Sequence, residues 1–105
     1  MTYANLRAAL KALCPDTYRR AAPRGLTRCI VTSRYGAELI RGDDRSLLRL
    51  RKIQIDVYFQ DEDDALPDRV EDLLDALDQP YEFIDEIYDD DLALFRVLLQ
   101  TEVTR

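Results

Sequence analysis

The chain of 105 residues contains no histidine, only two cysteines and only three glycines. Without histidine, neither a Cys-His nucleophile nor a histidine-containing zinc site can form, and Cys14 and Cys29 have no second cysteine nearby. We therefore expect both to be reduced, buried, small apolar side chains. Three glycines leave no glycine-rich phosphate loop, and neither Ser33 nor Ser46 lies in a G-x-S-x-G context. These absences argue against an enzyme.

Long hydrophobic runs are also missing. No stretch approaches the roughly 18 consecutive apolar residues that a membrane-spanning helix needs, and the residues after Met1 lack the apolar segment of a signal peptide. We therefore predict no membrane contact and place the protein in a cytoplasm. The length suits a single domain, residues 1–105, with one hydrophobic core. A composition of 47% hydrophobic and 34% charged residues indicates a globular domain with a highly charged surface.

The charges that are present are sorted by position. Residues 1–52 carry 12 Lys/Arg against 4 Asp/Glu, a net of +8, and residues 53–105 carry 3 against 17, a net of -14; together they give the net charge of -6. Poles of unlike charge can steer copies of a protein head to tail. From the order of elements we expect the two halves to interleave in one sheet. The poles would then become patches, chiefly a basic loop region and an acidic helix with its flanking turns.

The first half of the chain predicts one helix and one strand. The helix begins at the cap residue Thr2 and ends before Pro15. Its apolar residues fall on one stripe: Tyr3, Leu6, Leu10, Leu13 and Cys14. Residues 15–26 predict a loop or a short edge strand around Tyr18, and the β-branched residues 28–34 predict a strand.

Residues 35–46 contain two glycines and two aspartates and show no sustained period. We expect a long loop there, of the kind that carries binding. The clearest strand follows, because apolar residues alternate with polar ones over residues 53–59. A second helix has Asp64 as its candidate N-cap and Pro67 in its first turn, with acidic side chains along its outer face.

The chain closes in a predicted hairpin of residues 81–88 and 92–103, with a turn at 89–91. The order αββαββ predicts an α+β fold: a mostly antiparallel sheet of about four strands with two helices packed on one face. The predicted core consists of Leu6, Leu10, Leu13, Ile30, Ile53, Ile55, Val57, Leu66, Val70, Leu73, Leu77, Phe83, Phe95, Val97 and Leu99.

Two acidic runs, residues 61–64 and 89–91, are the candidates for a divalent cation site or a catalytic carboxylate pair. Neither has the alternating ligands and glycine of a calcium loop, and both flank element boundaries, where acids cap helices and fill turns. We interpret them as solvated turns and assign no catalytic, metal-binding or cofactor-binding residue. The basic half could contact nucleic acid, but the acidic half repels it, so neutralisation by acidic groups within or between subunits is favoured.

From residue 52 onward the chain resembles a known family. Residues 52–59 (KIQIDVYF), an acidic link, residues 70–77 (VEDLLDAL), the tripeptide 81–83 (YEF) and a closing hairpin follow one another. This succession, over roughly residues 26–103, resembles the tail-completion and tail-terminator proteins, the head-tail joining proteins of long-tailed phages and prophages. The stretch 15–25 has no counterpart in the resemblance.

The resemblance implies a structural protein that forms a ring, typically a hexamer, at the head-proximal end of the tail tube. Its partners would be other copies of itself, the major tail tube protein and the head connector or stopper protein, with DNA only passing through the channel. It implies no catalytic activity and no cofactor. The location would be the virion neck or tail, with the host bacterial cytoplasm as the place of assembly.

A ring places one patch of each subunit against a different patch of its neighbour. We expect these patches to be of unlike charge. The candidate interface residues are Arg41, Arg45, Arg49 and Arg51 on the basic side and Asp61, Glu62, Asp63 and Asp64 on the acidic side. The preferred pairing sets the arginines at 45, 49 and 51 against the acidic run.

Two alternatives come from other classes of protein. One is an acidic inhibitor or DNA mimic that binds a basic partner through residues 61–64, the outer side of the second helix and residues 89–91. The other is a small metal-dependent enzyme that uses the same carboxylates.

Overall fold

The structure, a computed structural model, describes the backbone of residues 1–41 and 46–104 and the side chains of residues 1–36 and 50–104. Its elements are α1 (Tyr3–Leu13), β1 (Thr17–Arg19), β2 (Cys29–Arg41), β3 (Ser46–Phe59), α2 (Leu66–Ala76), β4 (Tyr81–Asp89) and β5 (Leu94–Val103). The predicted α+β class is confirmed. The sheet has five strands rather than about four, in the order β1-β2-β3-β5-β4.

The additional strand is β1, which the sequence predicts only as an alternative to a loop. It pairs with β2 in parallel, so the sheet is mixed, and the element order becomes αβββαββ. The other pairs are antiparallel, as predicted. α1 and the three-residue strand β1 both precede β2, and Pro15 lies between them. Because proline has no backbone N–H to donate, it ends the helix before the strand begins.

Both helices begin near the predicted residues. The Thr2 side chain accepts a hydrogen bond of 3.1 Å from the backbone N–H of Asn5, which confirms the first cap. The second helix has Ala65 rather than Asp64 at its cap position. Asp64 still stabilises the N-terminal end of the helix, because its Oδ1 accepts a hydrogen bond of 2.9 Å from the backbone N–H of Leu66.

The strand register places one apolar face of the sheet against both helices. Ile53, Ile55, Val57 and Phe59 of β3 point to that face, and their neighbours on β2 and β5 include Ile30, Val97 and Leu99. They form one buried cluster with side chains of both helices: Tyr3, Leu6, Leu10, Cys14, Leu66, Val70 and Leu74, with Val103 from the end of β5. The predicted packing of two helices on one face follows from this register.

The core prediction is wrong for two residues. Leu77 is 39% exposed because α2 ends at Ala76, and Phe83 is 50% exposed because it lies on the edge strand β4. Leu13, Leu73 and Phe95 pack at the margin of the core.

The predicted long loop at residues 35–46 is also wrong. β2 continues to Arg41 and β3 already begins at Ser46, so within this stretch only residues 42–45 lie outside the described backbone. The register shifts between Arg34 and Gly36, which breaks the two-residue period and hides the strand in the sequence.

Beyond the main sheet, β2 and β3 continue as a two-stranded ribbon, which we define as residues 38–41 and 46–50. β5 pairs with β3 only over residues 51–59, and β1 pairs with β2 only over residues 30–32. In the described structure the strands of the ribbon therefore pair only with each other, and the molecule is elongated, at 51 × 27 × 22 Å. A two-stranded hairpin is marginally stable by itself, so the ribbon is a surface that a partner can stabilise.

The two halves of the chain do not interleave, contrary to expectation. Strands β1 and β2 come from the basic half and form one side of the sheet, whereas β5 and β4 come from the acidic half and form the other. β3 contains the boundary. The reason is that the β4-β5 hairpin joins the sheet by pairing β5 with the free edge of β3. No local sequence pattern specifies that pairing.

Candidate subunit interface

The basic edge of the molecule is made by α1, β1, the loop that follows β1 and the part of β2 beyond its pairing with β1. Arg7 and Lys11 of α1 and Arg19 of β1 lie beside one depression, and Arg20 and Arg24 follow in the loop. Among the described side chains, ion pairs form only between Arg28 and Asp64 and between Arg96 and Asp56. The cations of this edge, which we define as Arg7, Lys11, Arg19, Arg20, Arg24 and Arg34, are therefore not neutralised by a described carboxylate.

The opposite edge is β4, which carries Glu82, Asp85, Glu86 and Asp89. We define these four residues as the acidic edge. Acidic residues of α2 extend it, since their carboxylates lie close to Tyr81 at the start of β4. Burial raises the pKa of the Tyr81 hydroxyl, and the negative charges of Glu71, Asp75 and Asp72 raise it further.

The connection from α2 to β4 is held by a buried amide. The Gln79 side chain donates to Thr101 Oγ1 at 2.7 Å and to the Glu102 carbonyl at 2.6 Å. The Thr101 hydroxyl in turn donates to the Pro80 carbonyl at 2.6 Å. These bonds tie the connection between α2 and β4 to β5, next to the start of the acidic edge.

The β4 strand also exposes large apolar side chains. Phe83, Ile84, Ile87 and Tyr88 are 50%, 40%, 38% and 51% exposed. In the described structure β4 pairs with β5 alone, so its outer N–H and C=O groups have no strand partner. An edge with free backbone groups and apolar side chains is a template for pairing with another chain, and charged residues along it restrict which chain pairs.

Three of the four predicted basic interface residues lie on the ribbon or next to it. Arg51 is half-buried on β3, between Ala37 of β2 and Val103 of β5. The backbones of Arg41 and Arg49 belong to the ribbon strands, and their side chains are not described. Arg45 lies outside the described residues.

The predicted acidic interface residues occupy the turn after β3, at the end of that strand opposite to the ribbon. Asp61, Glu62 and Asp63 are exposed, and the Asp61 side chain accepts from the backbone N–H of Asp63 at 2.9 Å. Asp64 already binds Arg28 of its own chain, with Nε to Oδ2 at 2.8 Å and Nη2 to Oδ1 at 3.2 Å. These bonds lower the pKa of Asp64.

Sequence reasoning missed the acidic edge as a contact surface. The signal was the mixture of acids and large apolar residues in 81–89, which we interpreted as an ordinary hairpin strand with Phe83 in the core. A strand covered by helices on one face should alternate regularly. In β4 the bulge between Phe83 and Asp85 breaks the alternation and both faces carry acids.

The face of the sheet opposite the helices holds a polar cluster. Arg96 Nη2 and Nε lie 3.2 and 3.3 Å from Asp56 Oδ1, Gln54 Nε2 donates to the same oxygen at 2.9 Å, and the Arg96 Cζ atom lies 5.6 Å from the centroid of the Tyr58 ring. The loop after β1 passes over this face and encloses a cavity of about 460 Å³. Asp56 is fully engaged, so this cluster fixes β3 against β5.

Cys14 and Cys29 are buried and free, which confirms the expectation for both. The pKa of Cys29 is raised to about 11. Burial is the main cause, and the nearby thiol of Cys14 and carboxylate of Asp16 add to it. A thiol with that pKa is protonated at neutral pH and is a poor nucleophile. In the described part of the chain, no three His, Cys, Asp or Glu side chains come together as a metal-binding group.

None of the described helices is long and apolar enough to cross a membrane. The fold and its surfaces define a small α+β protein with a basic edge and an acidic, partly apolar edge. Compared with known proteins, the chain matches neither a protein-family model nor a curated protein.

Proposed function

We propose that this protein is a ring-forming structural subunit, a tail-completion or head-tail joining protein at the head-proximal end of a phage or prophage tail tube. The observation that carries the proposal is the strand order. It leaves the basic edge and the acidic edge on opposite sides of one rigid sheet. Copies of such a subunit attract one another only when unlike edges meet.

Contact between unlike edges is heterologous, and heterologous contacts form closed rings when the rotation between neighbours closes. The acidic edge supplies more than charge. Docking would cover Phe83, Ile84, Ile87 and Tyr88, whose exposed surface favours burial at roughly 25 cal/mol per Å². The outer backbone groups of β4 would gain hydrogen-bond partners at the same time.

The ribbon extends the reach of each subunit beyond its own sheet. Along β2, from residue 33 to residue 41, the edge away from β3 has no strand partner within the described structure. In a ring, this edge and the ribbon can lie along a neighbouring subunit. The predicted pairing of Arg45, Arg49 and Arg51 with the acidic run 61–64 remains a prediction. Asp64 contributes least to it, because Asp64 is already bound to Arg28.

The remaining roles follow from the position in a tail. One face of the ring would bind the major tail tube protein and the other the head connector or stopper protein. Acidic side chains left over from subunit contacts would line the channel, where they repel the DNA that passes through it. The protein would then be found in the virion neck, after assembly in the host cytoplasm.

The experiment is direct. Sedimentation velocity of the purified protein over a range of concentrations, with negative-stain imaging, should show closed rings, either in free solution or after addition of purified tail tubes. The rings should lie at one end of each tube. A protein that stays monomeric at every concentration and binds nowhere on tail tubes would contradict the proposal.

A second candidate is an acidic inhibitor or DNA mimic. The observation that favours it is the acidic surface of α2, which lies beside the start of β4: besides burial, the carboxylates of Glu71, Asp75 and Asp72 raise the pKa of Tyr81. This candidate predicts a monomer or dimer that binds a basic DNA-binding protein in a defined, salt-sensitive complex and competes with DNA for it. Sedimentation with such a basic partner distinguishes it from the ring protein.

A further inference from the structure

A shallow depression of about 260 Å³ lies between α1 and β1. Its helix side is made by Ala4 and Ala8, whose small side chains leave space, and by Arg7 and Lys11. Arg19 of β1 stands on the other side. Three cations from two elements therefore surround one small concave surface.

The cations are held in place rather than spread apart. Arg7 and Lys11 are four residues apart on α1, a spacing that puts like charges side by side and destabilises a helix slightly. The Cζ atoms of Arg7 and Arg19 lie 5.0 and 5.2 Å from the centroid of the same Tyr3 ring. Tyr3 is buried, and its hydroxyl is hydrogen-bonded to Thr32 Oγ1 at 2.9 Å, so one fixed ring positions two guanidinium groups.

This arrangement lacks an acceptor. None of the three cations forms an ion pair with another described side chain. The Nε atom of Arg7 is removed from solvent and has no hydrogen-bond partner in the described structure. A buried donor without a partner costs on the order of 1–3 kcal/mol, and the clustered positive charges repel one another. An anion with several acceptor oxygens, held by the solvent-facing donors of these side chains, would offset the repulsion between the three charges.

We propose that this depression binds a phosphate group through Arg7, Lys11 and Arg19. The planar donors of two arginines match the oxygens of a phosphate, and a lysine adds a point charge. The chemistry is shared by free inorganic phosphate and by the backbone of nucleic acid. The site belongs to a single subunit and does not rest on the proposed ring.

The test is a titration of inorganic phosphate into the isotope-labelled protein in a phosphate-free buffer, followed by NMR. The arginine Nε–H resonances of Arg7 and Arg19 should shift and saturate. The double variant Lys11→Gln/Arg19→Gln should bind at least about tenfold more weakly, which is about 1.4 kcal/mol. Arg69→Gln, which removes one charge from an exposed residue of α2 outside the depression and outside the basic edge, should bind as the wild type does.

The double variant changes only the exposed side chains of Lys11 and Arg19. Circular dichroism checks that each variant folds. Arg19→Lys, which keeps the charge but loses the planar donors, should fall between the wild type and the double variant. Shifts that do not saturate, or an equal loss in Arg69→Gln, would overturn the site in favour of non-specific attraction.

The source of the phosphate is separated by a second titration, with a short double-stranded oligonucleotide measured by fluorescence anisotropy. Binding much tighter than to free phosphate, with an affinity that falls steeply with salt and is lost in the double variant, identifies the nucleic-acid backbone. Similar affinity for both identifies free phosphate. A double variant that changes self-association but not phosphate binding would overturn the proposal, because the cations would then face a neighbour's carboxylates.

Discussion

The opposed charged edges make a reciprocal prediction about assembly. In the first variant, Asp85→Lys and Glu86→Lys make the acidic edge basic; in the second, Arg24→Glu and Arg34→Glu make part of the basic edge acidic. All four side chains are exposed and none belongs to the core, so both variants should fold with the stability of the wild type.

The magnitude follows from the exposure of these groups. An exposed ion pair contributes about 0.2–1 kcal/mol, and each reversal replaces an attraction with a repulsion of similar size. Two reversals should therefore weaken one interface by about 2 kcal/mol, or roughly 30-fold in the dissociation constant. In a ring the effect applies to every interface, so each variant alone should sediment as a monomer where the wild type assembles.

Sedimentation velocity at about 50 mM salt tests this, because exposed charges are only partly screened there. An equimolar mixture of the two variants should regain assembly, since the basic edge of one variant now meets the acidic edge of the other in alternation. At about 1 M salt the wild type and the variants should converge, because the Debye length falls to roughly 3 Å.

Two results would refute the reasoning. Either variant assembling like the wild type at low salt would show that its edge makes no contact, and a mixture that fails to assemble would show that the two edges do not meet each other. Reversal of Asp61 and Glu62 to lysine provides the comparison. If only that change abolishes rings, the acidic partner is the turn after β3 rather than β4.

Three further outcomes are expected. Phe83→Ser should change the free energy of unfolding in urea by less than about 1 kcal/mol, because Phe83 is half exposed, yet should weaken self-association about tenfold by sedimentation; equal loss in both would place Phe83 in the core after all. Asp64→Asn should cost about 1 kcal/mol at neutral pH by removing the ion pair with Arg28. Because the pKa of Asp64 is lowered in the folded state, the pair contributes fully above the unfolded pKa of about 4 and loses its contribution as the pH falls through the folded pKa, so a difference from wild type that does not shrink as the pH is lowered below about 4 would contradict the assignment. Asp56→Ala should cost about 3 kcal/mol in urea unfolding by leaving Arg96 without its partner, and adding Arg96→Met should recover part of that loss; strictly additive effects would show that the two residues do not interact.

The elements whose causes are local were predictable. Thr2 and Pro15 define both ends of α1 through a cap and a missing N–H, and the alternation at residues 53–59 identifies β3 and its buried face. The α+β class follows from such elements. The expectation that both cysteines are buried is also confirmed, one at the end of α1 and the other at the start of β2.

Features that depend on contacts between distant parts of the chain were not predictable. The sequence predicts a loop at residues 35–46, because the second half of β2 is defined by pairing with β3 beyond the register shift at Gly36 rather than by a period of its own. The exposure of Phe83 depends on how far the helices extend over the sheet. The ion pair of Arg28 with Asp64 joins residues 36 positions apart, so no local pattern indicates it.

The sequence by itself determined how much charge of each sign the protein carries and in which half of the chain. Only the tertiary structure decided where those halves lie. Local propensity specifies strands but not their order, and the order is set by which free edge the last hairpin joins. Because β5 joins β3 and leaves β4 outermost, the charge sorted along the chain is also sorted across the sheet, with one basic and one acidic edge.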